Sequence, residues 1–215
     1  KKNVTTAKDT ALLCSELAKY KNLTPYLTCW LDTVRDGKAE LVNLNRLVRT
    51  YKGVTGMKAW GSEKAGSCIA ATAEKGDMSV CVVLNGCDSQ ENMNAEAKKL
   101  LNLAFDTYEI YTPELPEDMV KETVVCGGEE LSVKLAPEGL YPIVIPRGTY
   151  RMVECDFTAE EKLDAPVKNG EIAGEIRYTM GGEVILEGKI VACKEVKKMN
   201  FICGIKKLVY NLLSM

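Results

Sequence analysis

The chain has 215 residues, 46% of them hydrophobic and 27% charged, with a formal charge of −2. That is the profile of a folded globular protein with room for one large domain or two modest ones, and it carries no basic field to hold nucleic acid. Histidine is absent, which excludes Ser-His-Asp and Cys-His catalysis and imidazole-based zinc sites and leaves acid–base work to Lys, Asp, Glu, Tyr or Cys.

In chain order, residues 5 to 21 predict a helix. Thr6 and Asp9 have the spacing of a capping box, and Leu13, Leu17 and Tyr20 recur on one face. Short strands are expected around Leu41 to Leu44 and Gly56 to Trp60. Two apolar runs, Cys68 to Ala73 and Ser79 to Leu84, flank Glu74-Lys75-Gly76-Asp77 and predict a hairpin. Asp88 or Ser89 should cap an amphipathic helix whose apolar stripe is Met93, Ala97, Leu100, Leu101, Ala104 and Phe105. Helix, strands and helix together suggest one edge of an α/β layer structure.

Tyr111-Thr112-Pro113-Glu114-Leu115-Pro116 reads as a linker. Beyond it come short alternating runs: Val120 to Val125, Leu131 to Leu135, Tyr141 to Ile145, Tyr150 to Phe157, Glu171 to Tyr178 and Val184 to Val191. Gly181-Gly182 predicts a tight hairpin, because a type I′ turn needs positive φ at both central residues. The expected organisation is an α/β part over 1–108, a linker over 109–117, a small all-β sandwich over 118–195, and an amphipathic helix over 196–215. In that last segment Phe201, Ile202, Ile205, Leu208, Val209, Leu212 and Leu213 share a wide apolar face, with Lys206 and Lys207 beside it.

The nine cysteines are scattered singly, with no Cys-x-x-Cys pair, so neither a metal site nor a disulfide framework is expected. Several sit in apolar runs, as small buried hydrophobes do. No apolar run approaches the roughly 18–20 residues of a membrane span. The opening Lys1-Lys2-Asn3 has neither Met nor an apolar leader, which suggests a removed leader or a start partway through a longer protein.

The informative stretch is Lys58-Ala59-Trp60-Gly61-Ser62-Glu63-Lys64-Ala65-Gly66-Ser67-Cys68. It resembles the Lys-Thr-Gly box of the serine-type D-alanyl-D-alanine carboxypeptidases, the low-molecular-mass penicillin-binding proteins. Thr5-Thr6-Ala7-Lys8-Asp9, Asn45-Arg46-Leu47-Val48 and Glu96-Ala97-Lys98-Lys99-Leu100-Leu101 resemble the same family, and Ala165-Pro166-Val167-Lys168-Asn169-Gly170 resembles its accessory domain. The resemblance implies a partial transpeptidase-like α/β domain followed by a β domain. It also implies acyl transfer: a serine attacks the D-Ala-D-Ala bond, D-Ala leaves, and water releases the acyl-enzyme.

On that resemblance Lys58 is the catalytic-cleft cation, and Lys58, Ala59, Trp60, Gly61 and Ser62 form the substrate-binding strand. Ala59 stands in the Thr position and Trp60 in the Gly position. Ala59 cannot donate the hydroxyl that grips a carboxylate, a bond worth about 1.5–3 kcal/mol. Gly61 can still offer its backbone N–H to an oxyanion, and Ser62 keeps a hydroxyl. No Ser-x-x-Lys and no Ser-x-Asn occurs in the 215 residues, so the chain is expected to be inactive alone. The implied partners are peptidoglycan stem peptide, β-lactams where the cleft is complete, and a membrane surface reached by the terminal helix; no cofactor is expected. The implied place is the extracytoplasmic face of a bacterial cytoplasmic membrane. The alternative is a degenerate homologue that binds wall peptide or a protein at the membrane without hydrolysis.

Overall fold

A computed structural model describes residues 4–117 and 119–201. It divides into two compact units, Lys1–Ile110 and Tyr111–Met215, each described by itself.

The first unit opens with helix α1, Ala7–Ala18. The Thr6 hydroxyl accepts from the Asp9 N–H at 3.1 Å, and the Asp9 carboxylate accepts from the Thr6 N–H at 3.2 Å. That reciprocal pair satisfies two donors that a helix start otherwise leaves unbonded, so the expected capping box is present. A short helix α2, Thr24–Leu27, leads to the hairpin β1, Leu31–Val34, and β2, Ala39–Val42, and to the short helix α3, Leu47–Thr50. The β1 strand was not foreseen. Its residues are mostly exposed and show no alternation.

The centre of this unit is an antiparallel sheet of β3, Val54–Ser62, β4, Gly66–Lys75, and β5, Met78–Cys87, in that spatial order. Lys75 opposes Met78 across the foreseen turn. Helix α4, Gln90–Thr107, is capped by the Ser89 hydroxyl, which accepts from the Asn92 N–H at 3.1 Å. It buries Met93, Ala97, Leu101 and Phe105 against Ala59, Ile69, Ala71, Ala73 and Val82 on one face of the sheet. The stripe is narrower than expected, since Leu100 stays exposed at its margin. The other face packs against α1 through Cys14, Met57 and Ala70, with Leu17, Trp60, Cys81 and Val83 around them. Small residues along β4 fit this double coverage, which leaves its centre buried on both faces.

Asn45 is fully buried between the hairpin and the sheet. Its side-chain amide donates to the Gly56 carbonyl at 3.3 Å, and its carbonyl accepts from the Leu47 N–H at 3.1 Å. A buried polar group is tolerable only when paired in this way.

Strand β6, Tyr108–Tyr111, marks the boundary between the units. The second unit is built of β7, Glu122–Cys126; β8, Ser132–Glu138; β9, Ile143–Pro146; β10, Val153–Ala159; β11, Lys162–Asp164; β12, Ile172–Met180; and β13, Glu183–Ala192. Six of them pair in the order β10-β12-β13-β8-β7-β11, antiparallel except for β11 with β7. Strand β8 serves two ladders: Ser132 to Lys134 face β7, and Leu135 to Glu138 face β13. One core results, with Val125, Val133, Leu163, Ile176, Tyr178, Leu186 and Ile190 pointing inward. Each fully buried aliphatic side chain here contributes about 1.5–3 kcal/mol.

The Gly181-Gly182 turn is as expected. Met180 opposes Glu183, and both glycines have positive φ, 61° and 83°. A close approach explains another glycine: a Cβ on Gly174 would stand 2.0 Å from the Thr158 carbonyl oxygen.

Two boundaries differ from expectation. Tyr111, assigned to the linker, packs edge-on to Tyr178 at 6.3 Å between ring centroids. The Tyr178 hydroxyl donates to the Glu114 carbonyl at 2.8 Å, which ties the proline-bearing strap to the core. Val196 is buried and bridges Val167, while Lys198 bridges Gly128. The chain is therefore extended at 196–199, and no helix starts at 196. Phe201 is exposed. The rest of the expected helix, with Ile202, Ile205, Lys206, Lys207, Leu208, Val209, Leu212 and Leu213, lies outside the described residues.

Candidate active-site strand

Residues 58 to 62 lie in the C-terminal half of β3, the outer strand of its sheet. No strand pairs with the far side of β3 among the described residues. The inner side is held in register by β4, with Lys58 opposite Ala70, Ala59 opposite Ile69, Trp60 opposite Cys68 and Gly61 opposite Ser67. The strand is thus rigid along one side and has unpaired backbone along the other.

The β3–β4 hairpin fixes the end of this segment. Ser62 opposes Gly66 across Glu63-Lys64-Ala65. The Ala65 N–H reaches both the Ser62 carbonyl at 3.2 Å and the Ser62 hydroxyl oxygen at 3.1 Å. Gly66 has φ of +66°, and a Cβ there would stand 2.9 Å from the Cys87 carbonyl oxygen. Only glycine fits that left-handed, crowded position. The family-like Ala-Gly pair after the box is therefore a turn requirement. The Ser62 hydroxyl oxygen accepts one hydrogen bond within the same turn.

Lys58 is exposed and forms no ion pair among the described residues. Ala59 is 3% exposed and packs into the α4 side of the sheet. Trp60 is half-buried, with its indole against the α1-side cluster. The ring is therefore a packed element of the sheet and does not stand free in solvent.

Four of the five residues line one cavity of about 420 Å³. Ala59, Trp60, Gly61 and Ser62 are joined there by Leu44, Ser67, Asp88, Gln90 and Met93, among others. Lys58 is not part of that lining. The geometry thus groups the strand's last four expected residues and leaves the lysine apart from them. Leu44, Ser67, Asp88 and Gln90 were missed by sequence reasoning. Their one sequence signal was the Asp88-Ser89 helix start, which places Asp88 and Gln90 at the head of α4 beside the hairpin.

Residues 1–88 match the family model of D-alanyl-D-alanine carboxypeptidase, and residues 105–198 match that of the penicillin-binding protein 5 C-terminal domain. The two follow one another along most of the chain. Over these two stretches the chain is similar to the low-molecular-mass penicillin-binding proteins. Among curated members of this group it is 30% identical over 205 residues to D-alanyl-D-alanine carboxypeptidase DacF of Bacillus subtilis, a match covering 94% of this chain and 53% of that protein. It is 29% identical over 161 residues to DacC of Escherichia coli, covering 74% of this chain and 40% of that one. The chain spans about half the length, or less, of these curated relatives.

Solved structures agree on the fold of a penicillin-binding protein. Penicillin-binding protein 5 from Haemophilus influenzae superposes with a TM-score of 0.74 at 24% identity, covering 90% of this chain and 57% of that one. A peptidoglycan synthesis regulatory factor from Streptococcus pneumoniae does so with a TM-score of 0.61 at 18% identity, covering 92% and 58%.

Proposed function

We propose that this chain supplies the β3 wall and the accessory β domain of a serine-type D-alanyl-D-alanine carboxypeptidase, which removes the terminal D-Ala of peptidoglycan stem peptides. The attacking serine and its activating lysine come, on this reading, from polypeptide other than these 215 residues. The observation that carries it is the family-matched box on an outer strand. Lys58 is exposed there, and one side of the backbone is open to a substrate. An extended peptide can align along such an edge through main-chain hydrogen bonds. On this reading Lys58 offers positive charge toward a carboxylate, and the Gly61 N–H offers a donor to an oxyanion. Ala59 contributes no hydroxyl, so carboxylate grip is weaker than in the family pattern.

The second unit supports a sandwich-type accessory domain, because β8 shared between two ladders folds the strands around one core. The segment 200–215 is assigned to an amphipathic anchor at the extracytoplasmic membrane surface. Its support is the sequence pattern of apolar face and flanking lysines. No helix among the described residues is long and apolar enough to cross a membrane.

Two experiments test this. Fluorescent penicillin should leave the 215-residue chain unlabelled but acylate the full-length gene product, and Lys58→Ala should slow that acylation on the order of 10²–10³-fold. Covalent labelling of the 215-residue chain itself, or full acylation by the variant, overturns the assignment. Flotation with anionic liposomes should be lost when residues 200–215 are deleted; equal flotation removes the anchor.

A further inference from the structure

Two cysteines far apart in sequence meet beneath α1. Cys14, on that helix, is 5% exposed, and Cys81, on β5, is half-buried. Both belong to the cluster that joins α1 to the sheet, and their thiols are close enough to interact with one another. Cys81 also lines a surface cavity of about 310 Å³ with Ser15, Ala18, Lys19, Lys21 and Thr72. Cys81 is therefore the more exposed residue of the two, and Cys14 lies deeper in the cluster. Thiol–disulfide exchange needs this asymmetry: an accessible thiol to be attacked by, or to attack, an incoming disulfide, and a resolving thiol behind it.

We propose that Cys14 and Cys81 are a disulfide-forming pair, oxidised by a small-molecule disulfide to staple α1 onto β5. In the first step Cys81 gives its proton to solvent and its Sγ bonds to one sulfur of the oxidant, whose S–S bond breaks to release one thiol. In the second step Cys14 gives up its proton and its Sγ attacks the Cys81 Sγ, releasing the second thiol. Two protein thiols are oxidised to one disulfide, and the oxidant is reduced to two thiols. Lys19 and Lys21 border the entrance. Both lysines sit in exposed ion pairs, Lys19 with Glu16 and Lys21 with Glu74, and burial keeps the Cys81 thiol protonated, so the exchange is slow at neutral pH. The bridge fixes the cluster against which Trp60 packs.

The test uses the whole chain, incubated with oxidised glutathione, then unfolded, alkylated and mapped by mass spectrometry. The expected result is a peptide joining Cys14 to Cys81, whatever glutathione the exposed Cys29, Cys126 and Cys193 take up, and a higher unfolding temperature that reductant reverses. Cys14→Ala should instead carry glutathione on Cys81. Separate alkylation of both residues, a glutathione on each, a bridge to any other cysteine, or a bridge that forms only after unfolding overturns the proposal. The mapping is done on the unaltered chain, so the result does not depend on any variant folding.

Discussion

At the scale of single residues, Asn45 is a fully buried polar side chain that joins two segments of the first unit. Asn45→Ala leaves the Gly56 carbonyl and the Leu47 N–H without partners in a fully buried site. Each orphaned group costs about 1–3 kcal/mol. Urea unfolding should show a loss of at least the lower figure, and an unchanged midpoint would refute the role. The Asn45-Arg46-Leu47-Val48 segment was legible as a family-like string, but nothing in the string told that its first residue spans to β3. The Cys14–Cys81 meeting was equally illegible. Single cysteines in apolar runs look alike until a helix is laid across a sheet. At the candidate site, the box residues stood out only through their resemblance to a family motif. Leu44, Ser67, Asp88 and Gln90 did not stand out, because the sheet and the head of α4 bring them together from separate segments.

At the scale of elements, periodicity and turn chemistry were reliable wherever one face was buried and the other wet. The α4 stripe, the β4–β5 hairpin and the Gly181-Gly182 turn follow directly from apolar spacing and positive-φ glycines. Three features escaped for physical reasons. Strand β11 has three residues and one buried side chain, Leu163, too few to show alternation. The β1–β2 hairpin is exposed and carries no amphipathic signal. The extended return at 196–199 looks like a helix start by composition, yet Val196 is captured by the β core. The strap after Tyr111 makes a testable element. Tyr178→Phe keeps the ring and removes the bond to the Glu114 carbonyl, which should cost about 1 kcal/mol and raise amide exchange in residues 112–117. Unaltered exchange there would show that the hydroxyl does not hold the strap.

At the scale of the whole molecule, both units bury groups that resist ionisation. Burial pushes the Cys81 thiol up from 9.0 to about 12, and burial likewise raises the Tyr178 phenol above its ordinary 10.0. A group whose folded value is raised contributes stability that is intact below its unfolded value and is lost as pH rises toward the folded one. The unfolding temperature should therefore fall between about pH 9 and pH 12, and Cys81→Ala should flatten part of that fall. A curve level across the window would contradict the burial argument. The unpaired side of β3 has a consequence of its own. A sheet border able to receive a ligand's backbone is equally able to receive a sister molecule, and a cation planted midway along it discourages such stacking. Lys58 stands exposed midway along that border, so any rate lost on neutralising it has to be weighed beside the light scattering of the same sample.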